Sequence, residues 1–478
     1  MEPGRDRGSA PRCLVAALLI AGAGAALAQT PARTTSIPFA DARPIFQALQ
    51  PQLWPADLRA STPAQIEALW PGWIAREDAA IRARVQAGDE DSIINLLFYG
   101  TTFTRQPRIS EQELAGVVVR QRETGATAFV ASPVLKGRIE DFITAVAMPG
   151  GNERVQFARQ VIERHGIDPA SQTGQGRLRT YLQDRAAVVG SAVHASTLLD
   201  PDAPLVDQVT IFRDRGLSSD TSILIDFGIE KTLEAVKSSG VLKPAVVRRV
   251  AIVGPGLDFT DKQEGHDFYP QQTIQPFAVI DSLIRLGLAA PGRVEVTAFD
   301  LSPRVIQHLE SARARAREGR AYTLVLPREL DRMWTAELTK YWQRFGDRIG
   351  TETNPLMPPP AAGRLDVRAV SVPPPVVLSV APRDLNVVVQ RLEPLPVDRQ
   401  FDLVLATNIL LYYDVFEQSL AVANVSKMLR PGGIFLTNDR LFELPSSPVR
   451  AAGSTSVVYL EQPGASVKGD RIAWYQKP

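Results

Sequence analysis

Three apolar segments in the C-terminal half of the chain end in residues suited to binding a nucleoside. The segments and the residues that follow them are 250–253 with Gly254 and Gly256, 294–299 with Asp300, and 401–407 with Asn408. Buried strands that end in glycine, carboxylate and amide are typical of an open parallel sheet, which binds ligands beyond the carboxyl ends of its strands. The pattern therefore predicts a nucleoside site at one edge of such a sheet.

Each of these residues also has a plainer interpretation. Gly254 and Gly256 let the backbone turn sharply and let a ligand approach without a Cβ in the way, but two glycines after a strand also form an ordinary turn. Asp300, with Leu301 directly after it, is placed to accept the two hydroxyls of a ribose. An acid at this position also suits the positive end of a following helix, without any ligand.

From about residue 220 the chain alternates strand-like and helix-like patterns, which is typical of a parallel sheet flanked by helices. The predicted strands are 246–253, 294–299, 385–390, 402–406 and 434–438, and the predicted helices include 303–316 and 416–429. Two final alternating runs, 456–460 and 471–475, predict an antiparallel hairpin that closes the sheet. This domain is expected to span 210–478, with a proline-rich insertion at 320–383.

The N-terminal part has a different organisation. Residues 61–200 carry apolar side chains at helical spacing, for example Ile66, Trp70 and Trp73, so we expect a mostly α-helical domain there. Residues 29–60 are rich in Pro and Ala and are expected to form an extended lead-in. The sequence therefore predicts two domains joined near residues 200–210.

The first 28 residues have the pattern of a secretory signal peptide. Arginines precede an apolar run, 14–27, which ends in Ala26-Leu27-Ala28. The run is shorter than the roughly 20 residues that span a bilayer. We expect cleavage after Ala28, export or a periplasmic location in a bacterium, and no stable membrane span afterwards. The alternatives are an uncleaved anchor, or a misassigned start codon and a cytoplasmic protein.

The composition excludes several classes of protein. The formal net charge is +1 and no block of Lys and Arg is present, so nucleic acid is not an expected partner. Cys13 is the single cysteine and lies in the segment expected to be removed. The mature chain is therefore expected to have no disulfide, no thiolate metal site and no cysteine nucleophile.

The C-terminal pattern resembles the class I, Rossmann-like S-adenosylmethionine-dependent methyltransferases over about 220–478. The segment Phe401–Gly433 is similar to chemotaxis-receptor methyltransferases in its Phe-Asp-Leu-Val-Leu-Ala-Thr-Asn run and its Pro-Gly-Gly turn. The resemblance implies S-adenosylmethionine as the cofactor, Asn408 beside its methionine part and Glu393 at the adenine amino group. It also implies an α/β fold: a seven-stranded methyltransferase sheet with a terminal antiparallel hairpin, preceded by the helical domain.

The glycine loop departs from that family at two positions. The acid that usually stands two residues before the first glycine is Ile252 here, and the third glycine is Asp258, which is expected to take over the contacts of the missing acid. A dinucleotide site is disfavoured because Phe259 stands where its fingerprint needs a last glycine. Asp300 also follows Gly256 at far more than the roughly 20 residues that usually separate the glycines and the acid of a dinucleotide site.

The loop after the first strand carries a second group of polar residues. Asp258, Asp261, His266 and Asp267 have side chains that can hold a hard metal ion or act as a base toward a hydroxyl group. A solvated lid loop has the same composition. We expect this simpler structure, and no metal.

These observations predict methyl transfer from S-adenosylmethionine to an unidentified acceptor, either a small molecule or a protein. No catalytic residue is assigned, because the sulfonium methyl is already activated and catalysis in this class consists mainly of positioning. Export conflicts with a cofactor that is made in the cytosol. The alternative function is therefore that of an exported, non-catalytic methyltransferase-fold module that binds another ligand or a protein.

Overall fold

The computed structural model describes residues 32–110, 131–197, 216–218, 221–259, 265–438, 441, 443–461 and 468–478. Within them the strands are β1 (Arg33–Ser36), β2 (Arg249–Val253), β3 (Glu295–Asp300), β4 (Tyr322–Glu329), β5 (Thr351–Thr353), β6 (Leu365–Val372), β7 (Val380–Asp384), β8 (Gln390–Glu393), β9 (Phe401–Leu405), β10 (Leu429–Thr437), β11 (Arg450–Leu460) and β12 (Lys468–Gln476). The helices are α1 (Phe39–Ala48), α2 (Pro63–Tyr99), α3 (Pro133–Ala147), α4 (Glu153–Arg164), α5 (Gln172–Thr197), α6 (Ile223–Ser238), α7 (Gln275–Arg285), α8 (Pro303–Arg317), α9 (Ala336–Arg344), α10 (Pro374–Leu378) and α11 (Val415–Met428).

The main sheet has seven strands in the order β7-β3-β2-β9-β10-β12-β11. Counted in chain order within this sheet, the spatial order is 3-2-1-4-5-7-6. The first five strands are parallel, and β12 runs antiparallel between β10 and β11. The 3-2-1-4-5 arrangement is that of a doubly wound nucleotide-binding sheet. The predicted Rossmann-like methyltransferase sheet with a terminal antiparallel hairpin is therefore confirmed.

The central strands are buried on both faces, which explains their nearly continuous apolar sequences. Four of the five residues of β2 and all five residues of β9 are buried. One face packs against α6, α7 and α8 through Ile252 and Leu283, and the other against α11 and α1 through Val253, Phe416 and Phe46. Helices on both faces leave the carboxyl edge of the strands as the place for a ligand.

The predicted helical region begins with one long helix that connects two cores. α2 has 37 residues and starts at Thr62 with a capping box, in which Gln65 returns the hydrogen bond. Its first half packs Trp70 and Trp73 near the sheet, with the Trp73 ring 5.8 Å from that of Phe416. Its second half joins α3, α4 and α5 in a separate apolar cluster. Both tryptophans are buried core residues.

The expected extended lead-in at 29–60 is wrong for the residues that the structure describes. β1 pairs antiparallel with β8, and α1 buries Ile45 and Phe46 against the main domain. The high Pro and Ala content concealed this short amphipathic helix. Burial of its apolar face stabilises a structure that composition alone did not predict.

The strand that comes third in chain order within the main sheet, β7, also differs from the prediction. β7 covers Val380–Asp384 and overlaps the end of the predicted insertion, and the segment predicted as a strand at 385–390 follows it. The rest of the insertion forms a three-stranded sheet, β4-β6-β5, with α9 beside it.

The expected signal peptide, 1–28, lies outside the described residues. In the described part of the chain, no helix has the length and apolar character needed to cross a membrane.

Candidate functional site

The glycine loop lies at the carboxyl end of β2, the central parallel strand. Gly254 and Gly256 have φ angles of 65° and 64°, in the left-handed region that favours glycine. The backbone N–H of Gly254 donates to the carbonyl of Phe299 at 2.8 Å, which joins the loop to β3. A Cβ on Gly254 would lie 2.3 Å from Cδ1 of Ile409. The space and the backbone angle thus both require glycine at 254.

Asp300 ends β3 beside this loop and is 8% exposed. Its Oδ1 accepts the backbone N–H of Ser302 at 2.8 Å. Burial raises the pKa of Asp300 to about 6, although backbone N–H groups that include those of Gly256 and Leu301 favour the charged form. Leu301 packs, partly buried, against the apolar cluster on the α11 side. Gly254, Gly256, Asp300 and Leu301 are therefore brought together.

Asn408 lies at the same edge, three residues after the end of β9. It is exposed and has a φ of 57°, a conformation that asparagine tolerates better than most residues. Its backbone N–H donates to Oδ1 of Asn438 at 2.6 Å, and Nδ2 of Asn438 donates back to its side-chain oxygen. Two amides therefore meet where β9 and β10 end. The preceding Thr407 accepts a hydrogen bond from Gln275 at 3.1 Å.

The carboxylate of Asp258 is bound within its own loop. Its Oδ2 accepts the Tyr269 hydroxyl at 2.8 Å and the Gln272 amide at 2.9 Å. Its backbone N–H donates to the carbonyl of Gln272 at 2.7 Å. These bonds give Asp258 a structural role, and its predicted contact with a cofactor stays a prediction.

The described residues of the acidic loop, Asp258, His266 and Asp267, are buried and bound to the rest of the protein, in contrast to the expected solvated lid. Asp267 accepts the backbone N–H and hydroxyl groups of Thr101 and Thr102, which follow α2. Burial, together with Arg108 and Arg332, lowers the pKa of His266 well below its usual range. Asp261 lies outside the described residues. Among those described, no group of three or more His, Cys, Asp or Glu could hold a metal ion.

Arg154, on α4, is a key residue of this loop that sequence reasoning missed. Its guanidinium is fully buried and donates to the carbonyls of Asp258, at 3.0 Å, and of Phe259 and Tyr269. The backbone carbonyl of Asp267 is a fourth acceptor, at 3.4 Å. The helical region thus fixes the backbone that follows the glycines. No local pattern signalled this, because an arginine in the first turn of a helix usually points to solvent.

Glu393 is not at the nucleoside edge, so this prediction is wrong. It lies on β8, where Arg391 binds its carboxylate at 2.7 Å and the Thr35 hydroxyl donates to it at 3.3 Å. Arg391 also binds Asp41, which pairs with Lys427 in the last turn of α11. That turn leads into the amino end of β10. Glu393 therefore lies toward the amino edge of the sheet, opposite the glycines.

Asp384 occupies the place that was expected for Glu393. It is the last residue of β7 and the Cα partner of Asp300 across the parallel pair β3–β7. Its side chain is 60% exposed and forms an ion pair with Arg82 of α2 at 2.8 Å. The signal that could have found it is the acid in Ala381-Pro-Arg-Asp384, but the strand was placed five residues too late.

Comparisons with known proteins find similar chains among solved structures. No known protein family matches the sequence, and no curated protein matches it either. Among solved structures, the N-methyltransferase NodS from Bradyrhizobium japonicum is 12% identical, covering 53% of this chain and 97% of its own, with a TM-score of 0.23. The magnesium protoporphyrin IX methyltransferase ChlM from Synechocystis, with bound SAM, is 10% identical, covering 63% and 96%, with a TM-score of 0.25.

The glycopeptide N-methyltransferase MtfA, complexed with S-adenosylhomocysteine, gives 13% identity, 52% and 90% coverage and a TM-score of 0.24. TM-scores this low carry no argument about the activity of this chain. The case for a function therefore depends on the sheet order and on the residues at its carboxyl edge.

Proposed function

We propose that this edge of the sheet binds S-adenosylmethionine and that the protein transfers the methyl group to a small-molecule or protein acceptor. The observation that carries the proposal is the buried carboxyl group of Asp300 beside two left-handed glycines, at the end of the central strands. The terminal antiparallel strand β12 supports a methyltransferase in preference to a dinucleotide enzyme. The narrower likeness of Phe401–Gly433 to chemotaxis-receptor methyltransferases stays a prediction.

The residues present fit such a cofactor. Gly254 and Gly256 form the left-handed turn beside the site, and Asp300 would offer carboxylate oxygens to the ribose hydroxyls. Asp384, the Cα partner of Asp300, would be available to bind the outer polar part of the nucleoside. Thr407 and Asn408 border the methionine part. Bound S-adenosylmethionine supplies a methyl group that its sulfonium already activates.

The protein's own contribution is to position the two reactants and to exclude water. α2 covers this edge, because Arg82 binds Asp384 and Arg84 donates to the carbonyl of Tyr412 at 2.6 Å. The helical region is thereby held against both ends of the site. We assign no catalytic base.

Calorimetric titration of S-adenosylmethionine and S-adenosylhomocysteine into the purified protein tests this proposal. Wild-type protein is expected to bind both, and Asp300→Ala to lose binding. Glu393→Gln is the matched control, because this carboxylate lies toward the opposite edge, and it should bind like wild type. Absence of binding to either ligand would reject the enzyme and favour a non-catalytic module with this fold.

A further inference from the structure

The first turn of α6 holds a buried carboxyl group for which the described residues supply no cation. Asp226 is 1% exposed, and neither of its oxygens has a partner in hydrogen-bond geometry in the described part of the chain. The Gln275 amide is near enough to favour the charged form, but burial dominates and holds the pKa of Asp226 well above its usual range. A buried polar group without a partner calls for an explanation, such as an ion or a ligand.

Asp226 lies next to the proposed cofactor site. The residue before the helix cap, Thr221, donates its backbone N–H to the carbonyl of Leu257 at 3.1 Å, so α6 starts at the glycine loop. Gln275, the first residue of α7, donates to the hydroxyl of Thr407 at the end of β9. The carboxyl group of Asp226 is therefore one side chain away from the carboxyl end of β9. It also faces the amino end of α7, whose dipole favours a negative charge.

The other charged groups around Asp226 are already matched to each other. Arg285 binds both Glu230 and Asp281, and Arg344 also binds Glu230. Two tyrosines also lie near Asp226, Tyr341 on α9 and Tyr459 on β11; the Tyr459 hydroxyl donates to Asp470, and burial raises the pKa of both hydroxyls. These tyrosines stay neutral at physiological pH. A cation that pairs with Asp226 must therefore come from outside this group.

The Asp258 carboxylate of the glycine loop already accepts from the Tyr269 hydroxyl and the Gln272 amide. Ile252, two residues before Gly254, is fully buried in the apolar core on the α6 side. Yet the methionine part of the proposed cofactor carries an α-ammonium group. Leaving such a charge without an opposite partner in a partly buried site would be costly.

We infer that Asp226 binds the α-ammonium group of the cofactor's methionine part. The inference rests on the proposed function. Without ligand, burial favours the protonated form of the Asp226 carboxyl group. As the ammonium group arrives, the carboxyl O–H bond breaks, the proton leaves to solvent, and the carboxylate pairs with the ammonium.

The test compares two nucleosides on the full chain. S-adenosylhomocysteine carries the α-ammonium group, and 5′-methylthioadenosine lacks the amino-acid part entirely. Asp226→Asn keeps the shape of the side chain but cannot ionise. We expect it to weaken S-adenosylhomocysteine about 10- to 150-fold and to leave methylthioadenosine unchanged.

Calorimetry in buffers of different ionisation enthalpy also counts the protons released. Wild type should release about one proton more per S-adenosylhomocysteine than Asp226→Asn does. Glu234→Gln, an exposed change on the same helix, should alter neither affinity nor proton count. Unchanged binding of methylthioadenosine also shows that the variant is folded.

The outcomes separate the two proposals. If wild type binds neither nucleoside, the proposed function fails and this inference fails with it. If wild type binds both, and Asp226→Asn weakens both equally or neither, Asp226 does not bind the ammonium group although the function stands. Equal proton release from wild type and variant would overturn the inference in the same way.

Discussion

Asp300 and Asp384 are Cα partners on neighbouring parallel strands, so two carboxylates leave the same edge of the sheet side by side. Their surroundings differ. Asp300 is buried beside the glycine loop, and burial raises its pKa to about 6. Asp384 is largely exposed and paired with Arg82 from α2. The inner carboxyl group is thus able to change its charge near neutral pH when a ligand binds.

Cofactor binding should therefore depend on pH through Asp300. The group is mostly protonated at pH 5 and mostly ionised at pH 7, and only the carboxylate accepts two ribose hydroxyls. The affinity for S-adenosylhomocysteine should rise about tenfold over this range through this one group. Asp300→Asn should lose this part of the pH dependence. Parallel affinity–pH curves for the two proteins would show that Asp300 is not the group that titrates.

Asp300 should also make the free energy of unfolding depend on pH, but in the opposite direction to cofactor affinity. Its folded pKa lies above the ordinary value of 3.8, so the folded state binds the extra proton as the pH falls. The free energy of unfolding should therefore fall as the pH rises from about 4 to about 6, relative to Asp300→Asn. Urea unfolding of both proteins across this range measures the difference. A difference that grows with pH in favour of wild type would contradict the assignment.

Mutation can show which of two carboxylates, Asp384 or Glu393, contacts the outer part of the nucleoside. Asp384→Asn should weaken S-adenosylhomocysteine about 5- to 10-fold, because it removes a charged acceptor at the binding edge. Glu393→Gln should leave the affinity unchanged, because Arg391 and Thr35 hold this residue toward the far edge of the sheet. The reverse order of effects in a titration would restore Glu393 as the ligand.

The loop after the glycines should lose its anchor in Arg154→Met. This change leaves the buried carbonyls of Asp258, Phe259 and Tyr269 without their donor, and should cost about 3–5 kcal/mol of unfolding free energy, because each unsatisfied buried group costs about 1–3 kcal/mol. Arg159→Met is the matched control on the same helix. It breaks a half-exposed pair with Glu163 and a hydrogen bond to the carbonyl of Ala147, and should cost about 1 kcal/mol. Similar costs for the two variants would show that Arg154 does not anchor the loop.

Gly254→Ala should destabilise the protein through both backbone and packing. The left-handed φ costs about 1–2 kcal/mol and the contact with Ile409 about 1–3 kcal/mol more. Gly287→Ala has a similar φ but nothing within 4 Å, so it should show the backbone cost alone. Ile409→Val removes the clashing Cδ1 and should recover part of the loss. A double-mutant cycle without coupling between 254 and 409 would contradict this geometry.

The sequence predicted the sheet and its central edge because these features are local. Buried parallel strands appear as apolar runs, and the residues that end them, Gly254, Asp300 and Asn408, lie in the structure where the pattern indicates. Arg154 could not be predicted, since its acceptors are more than a hundred residues away along the chain. Asp384 was missed because β7 ends in Pro-Arg-Asp, which is not an apolar run.

A crystal structure of the protein with S-adenosylhomocysteine tests the central claim most directly. We predict that the ribose hydroxyls lie within hydrogen-bond distance of Asp300 and that the nucleoside rests on the loop of Gly254 and Gly256. A cavity of about 190 Å³ lies between α1 and α11, away from this site, and is lined by Asp41 and Lys427 among others. A ligand bound there instead, or absent from the crystal at saturating concentration, would contradict the account.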